Sequence, residues 1–173
     1  MKKIKALKMI VAIVSFALAL QLVLSSSGIW VNLTSSMPQG VYKSNDDKIQ
    51  RNDYVLSCLP YDIAPLAKDR GYVGYGQCPA NSGLIGKKML GLPGDLARID
   101  QDGITINGVL LPGTAPKRFD RQGNSLPKIR IDRNLGADEY IIATNKPQSY
   151  DSRYFGPVHS EDLKQKIEPL YLF

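Results

Sequence analysis

The sequence predicts a mostly β, antiparallel fold of sandwich or barrel-like form, carried behind one N-terminal transmembrane helix. Three observations lead there. Residues 9–30 contain no charged side chain. Beyond them the apolar residues fall in short runs broken by glycine, proline and Asp-Gly or Asn-Gly dipeptides. Amphipathic helical spacing is weak throughout that part, which leaves the strand reading without a strong competitor. The 173 residues suit one domain. The expected division is 1–30 for a cytoplasmic basic tail and anchor, and 31–173 for an exported β domain with a small insertion around 96–137.

Lys2, Lys3, Lys5 and Lys8 precede the charge-free run, with no acidic residue among them. About 20 apolar residues are enough to cross the hydrocarbon layer. Basic residues ahead of a span hold that end in the cytoplasm, so the body is expected outside. A cleaved secretory signal with "LSSSG" as the cleavage site is the competing reading, and it exports the body equally. The same lysines explain the basic balance. The 22 Lys and Arg against 16 Asp and Glu give +6, and setting those four lysines aside leaves +2. A body so nearly neutral has no basic face, and no nucleic-acid partner is expected.

In the body, "DYVLSCL" from Asp53 to Leu59 and "SGLIGKKMLGL" from Ser82 to Leu92 read as strands. "ARIDQDGITINGVLL" carries turn dipeptides at Asp102–Gly103 and Asn107–Gly108, which favour φ > 0 and hence tight hairpins. "EYIIAT", Glu139 to Thr144, is a further strand. Tyr61 to Asn81 reads as a long loop. The last segment is ambiguous: Ser160 caps a short helix before Pro169, or Ile167 to Phe173 closes a sheet. Cys58 and Cys78 are the only cysteines. In an exported chain such a pair is expected to form a disulfide, the alternative being two unpaired buried thiols. Two thiols and a single histidine make poor metal ligation, so neither metal nor cofactor is expected.

The chemistry rests on serines at "SSMPQGVY" and lysines at "GKKMLGLPGD". A serine nucleophile needs a base that is unprotonated near neutral pH. A lysine serves if desolvation disfavours its ammonium. Lys87 and Lys88 are adjacent on an expected strand, so one points inward and the other out. Taken alone, this pattern reads better as an exposed edge strand.

The order changes that. A membrane anchor, then "SSMPQGVY", "RNDYVLSC", "KKMLGLPGD" and "SYDSRYFGPV" resembles the type I signal peptidases, most closely their conjugative-transfer, TraF-type pilin-processing branch. The resemblance implies a signal-peptidase-like β fold and a serine endopeptidase with a Ser-Lys dyad. It implies Ser36, not Ser35, as nucleophile and Lys87 as general base, with Lys88 in the place of the family's usual arginine. It implies an oxyanion hole from the Ser36 N–H and the Thr34 hydroxyl. Ser149 corresponds to the serine that hydrogen-bonds the lysine, and Asp151, Ser152 and Arg153 to the run that supports the site. Asp151 against Lys87 would stabilise the ammonium, so it is better placed pairing Arg153. The expected partners are a pilin-like precursor and the bacterial inner membrane, with the catalytic domain on the periplasmic side. The product is linear or, in this branch, sometimes cyclised. The family's "GDN" and "GD" appear here as Ala143–Thr144–Asn145 and Asn52–Asp53, which leaves the local loop conformation open.

Ser36 follows Trp30 by six residues, which holds it within about 20 Å of the anchor's end. Three rival readings stand beside this one: a cytosolic Ser-Lys autoprotease, a non-catalytic anchored β module of a secretion or pilus machine, and a Ser-His-Asp hydrolase using His159.

Overall fold

The computed structural model describes residues 8–15 and 28–173. Residues 8–15 are helical and exposed. Most of the expected anchor lies outside the described residues, and among these no helix is long and apolar enough to cross a membrane.

The body is mostly antiparallel β, in two sheets. The larger has the order β1 (Ile29–Asn32), β2 (Gly40–Asn45), β12 (Leu163–Leu172), β3 (Tyr54–Ser57), β5 (Ile85–Gly91), β10 (Glu139–Ala143), β11 (Val158–His159). The smaller runs β8 (Val109–Leu110), β7 (Gly103–Ile106), β6 (Leu96–Asp100), β9 (Ile131–Asn134), and fills the region expected to be an insertion. Strand β4 (Tyr75–Cys78) makes isolated bridges to Ser82.

Strand β10 explains why the sheets pack together. Its alternate side chains enter different cores. Ile142 packs with Val55, Ile85 and Met89, while Ile141 and Ala143 pack with Ala97, Ile99 and Ile104 of the smaller sheet. A third cluster joins Met37, Tyr42, Leu56 and Ile167, with Trp30 edge-on to Tyr42.

Several elements differ from expectation. Ile29 and Trp30, assigned to the end of the anchor, belong to β1. The expected loop from Tyr61 to Asn81 contains a helix, Ala64–Asp69, strand β4 and a 3₁₀ turn, Pro79–Asn81. The helix is too short to show periodicity, and Ala64 and Ala67 are held by the core they enter. At the C-terminus neither reading fits fully. One long strand starts at Leu163, and Pro169 is accommodated at a register shift, where a missing N–H is tolerated. The first hairpin of the smaller sheet turns one residue earlier than expected, at Gln101–Asp102, while Asn107 and Gly108 both take φ > 0. Asn52 supplies a left-handed turn, φ 76°, a conformation open to Asn as well as Gly.

Cys58 and Cys78 are bridged, closing a separation of 20 residues around the helix and β4. In the chain-entropy account the bridge acts on the unfolded state. Reduction, or Cys58→Ala with Cys78→Ala, is expected to lower stability by about 3 kcal/mol. Urea unfolding with and without reductant measures it.

Candidate active site

The loop between β1 and β2 carries the serines, and one buried side chain organises it. Asn32, 1% exposed, ends β1. Its Nδ2 donates to the carbonyls of Thr34, Met37 and Pro38, each at 3.0 Å. Two amide protons thus serve three acceptors. Its Oδ1 accepts from the Thr34 N–H at 3.0 Å and the Thr34 hydroxyl at 2.7 Å. Met37 pins the loop from below, and a Cβ on Gly86 would come within 2.6 Å of its Cε, so Gly86 leaves room for it. The Ser36 Oγ lies 2.9 Å from the Thr34 Oγ1. The single Thr34 proton is directed to Asn32, so Ser36 donates to Thr34. Because the loop's carbonyls turn in toward Asn32, the Ser36 N–H donates to no group among the described residues.

Lys87 lies on β5 directly across from Val55 and on the same face as Ile85 and Met89. It is the one buried lysine among the described residues, 5% exposed. Burial pushes its pKa from 10.5 down to about 8. The Asp151 carboxylate opposes that shift and the Arg153 guanidinium adds to it. Lys88, on the opposite face, is half-buried.

Asp151 and Arg153 form a fully buried pair, with Arg153 Nε to Oδ1 at 2.7 Å and Nη2 to Oδ2 at 2.9 Å. Asp151 also caps the short helix Ser152–Phe155 and accepts from the Thr144 N–H. Arg153 donates to the carbonyls of Thr144 and Gly113, which ties the turn after β8 to the end of β10. The Ser152 Oγ accepts from the Ile142 N–H at 3.0 Å. Ser149 is buried, and its hydroxyl is unpartnered among the described residues.

Ser36 lines a groove of about 780 Å³ together with Tyr54, Lys88, Leu111, Thr144 and Lys146. Ser35 sits on the ridge between this groove and a second hollow of about 370 Å³, which Ser149, Tyr72 and Tyr150 line. The fold thus sets the serine loop beside both the Ser149–Arg153 wall and β5. It joins Thr34 to Ser36 and Asp151 to Arg153. Among the described residues Lys87 Nζ makes no hydrogen bond, neither to Ser36 nor to Ser149. His159 is exposed on edge strand β11 beside Asp138 and lines neither hollow. Asn32 was not foreseen from the sequence. Its signal was a polar residue ending an apolar strand two positions before Thr34. The ingredients are those of acyl transfer: a hydroxyl, a desolvated amine, an unengaged N–H and a second hydroxyl beside it.

A family model described as "Signal peptidase, peptidase S26" matches residues 3–171. The "Plasmid transfer protein TraF" of Escherichia coli is 34% identical over 148 residues, 84% of this chain and 83% of that protein. The "Conjugal transfer protein TraF" of Agrobacterium tumefaciens (strain 15955) is 28% identical over 181 residues, 100% of this chain and 99% of that one. Among solved structures, a signal peptidase I from Enterococcus faecalis V583 superposes with a TM-score of 0.41 at 20% identity, over 72% of this chain and 100% of that one.

The burial of Lys87 has a measurable sign. Its folded pKa of about 8 lies below the free value of 10.5, so the unfolded chain binds the proton more tightly. The penalty is full below pH 8 and is relieved as pH rises from 8 toward 10.5. Lys87→Met is therefore expected to raise the urea midpoint at pH 7, with the gain shrinking toward pH 10. A constant difference across that range would contradict the burial.

Proposed function

Because the chain belongs to the signal peptidase family, peptidase S26, we propose that it is a serine endopeptidase using a Ser36–Lys87 dyad to cut an exported, pilin-like precursor of a conjugation system at the membrane surface. The observation that carries the dyad is Lys87 itself, an amine without a hydrogen-bond partner among the described residues, whose burial brings its pKa to about 8. Similarity to the plasmid and conjugal transfer proteins supports the setting.

The proposed reaction follows from these groups. Neutral Lys87 takes the Ser36 proton as the Oγ attacks the scissile carbonyl. The oxyanion that develops accepts from the Ser36 N–H and from the Thr34 hydroxyl, whose proton turns away from Asn32 to meet it. The Lys87 ammonium then protonates the leaving amine, and the acyl chain remains as an ester on Ser36. Water, deprotonated by Lys87, resolves the ester to a linear product. An amine of the same acyl chain resolves it to a ring. Contacts of this kind tighten when substrate binds, and the resting Ser36–Thr34 bond must open for the dyad to close. The inner membrane, with the catalytic domain on its periplasmic side, is the proposed place of action.

Co-expression with a pilin precursor from the same conjugation genes tests the reading, with mass spectrometry of the product showing the cut and separating linear from cyclic forms. Ser36→Ala and Lys87→Arg are expected to lose roughly 10⁴- to 10⁶-fold in rate, since arginine stays charged. Lys88→Arg is expected to stay within severalfold of the parent. An active Lys87→Arg sinks the assignment of the base. In the parent, kcat/KM is expected to rise through about pH 8, following the neutral amine. Asn32→Ala, which releases Thr34 and the loop carbonyls, is expected to lower kcat by about 10²- to 10³-fold, as loss of an oxyanion donor does. An unchanged kcat would remove Asn32 from the account.

A further inference from the structure

We propose that the groove beside Ser36 selects precursors bearing an acidic side chain close to the cut, and that Lys88 and Lys146 are the residues that read it. The proposal rests on the peptidase reading and adds to it the chemistry of the substrate. Among the described residues the groove lining holds two lysines and no aspartate or glutamate. Lys88 reaches it because strand alternation sends its side chain away from Lys87, to the face shared with its cross-strand neighbours Tyr54 and Ala143. Lys146 comes from the turn that follows β10 and Thr144.

Neither ammonium has a carboxylate within ion-pair distance among the described residues. The acidic groups on neighbouring segments are committed elsewhere: Asp53 to Lys166 at 3.2 Å, and Asp95 to Arg51 at 2.7 Å. Lys88 is already half-buried. A peptide lying in the groove covers it further and strips more of its water. A carboxylate on that peptide offsets the loss, and a cation in the same place is repelled. The adjacent lysines of β5 thus divide the work. Lys87 is buried beside the Asp151–Arg153 pair, and Lys88 is half-buried and lines the groove.

The test uses the full chain in detergent and a pilin precursor that the parent protein cleaves. Each Asp or Glu within about four residues of the cut is replaced in turn by its amide, then by lysine. With the parent, loss of the critical acid is expected to raise KM roughly tenfold while kcat changes little, and lysine there to raise it further. The Lys88→Glu protein is expected to reverse the order, cleaving the lysine-bearing precursor better than the acidic one. Lys146→Glu, on an exposed turn, is expected to shift the same preference. It also decides the matter if Lys88→Glu proves inactive on every precursor. A parent indifferent to precursor charge, or a Lys146→Glu protein with the parent's preference, overturns the proposal and leaves the peptidase reading intact. Failure of the parent to cleave any pilin precursor overturns the peptidase reading itself.

Discussion

The buried Asp151–Arg153 ion pair is the contact on which the site depends. Each charge answers the other through two hydrogen bonds, and backbone groups at Gly113, Thr144 and Arg153 itself meet further donors and acceptors of the pair. Satisfying both ions in this way is what makes their burial tolerable, because an uncompensated charge at the same depth would cost several kcal/mol. Burial sets the direction at Lys87, and the pair acts on it second. Its two ends act on the lysine in opposite directions, so burial dominates and the ammonium is disfavoured. A lone carboxylate there would favour the ammonium.

The serine loop is built on a similar economy. A seven-residue connection between β1 and β2 would ordinarily be free to move. Here the Asn32 side chain serves as an internal strut, and Met37 and Trp30 pack beneath it over Gly86. Carbonyls turn in, and the Ser36 N–H is left without an acceptor among the described residues. The resting hydroxyl order runs from Ser36 to Thr34 to Asn32.

Much of the organisation was legible in the chain. Glycine and Asn-Gly punctuation announced the strands and the β7–β8 hairpin, since few residues tolerate φ > 0. The motif order named Thr34, Ser36, Lys87, Ser149, Asp151 and Arg153 as candidates, and the adjacency of Lys87 and Lys88 told that the two would face opposite sides. The Cys58–Cys78 pairing was expected from there being two cysteines in a chain read as exported. The helix Ala64–Asp69 was not legible, because six residues are too few to show a period and its two alanines become apolar contacts only when a core is there to receive them. Pro169 argued against a long final strand, and the register shift beside it was a tertiary solution that no local pattern records.

Sequence by itself determined the antiparallel β class, several of its strands and the candidate residues for acyl chemistry, because backbone preference and side-chain type are local properties. Which lysine loses its water was decided by tertiary structure, since desolvation depends on Val55 of β3 and Ile142 of β10 packing on the face of β5 that Lys87 shares with Ile85 and Met89. The role of Asn32 was decided there too. A carboxamide shows nothing of its partners until the chain turns back and offers them.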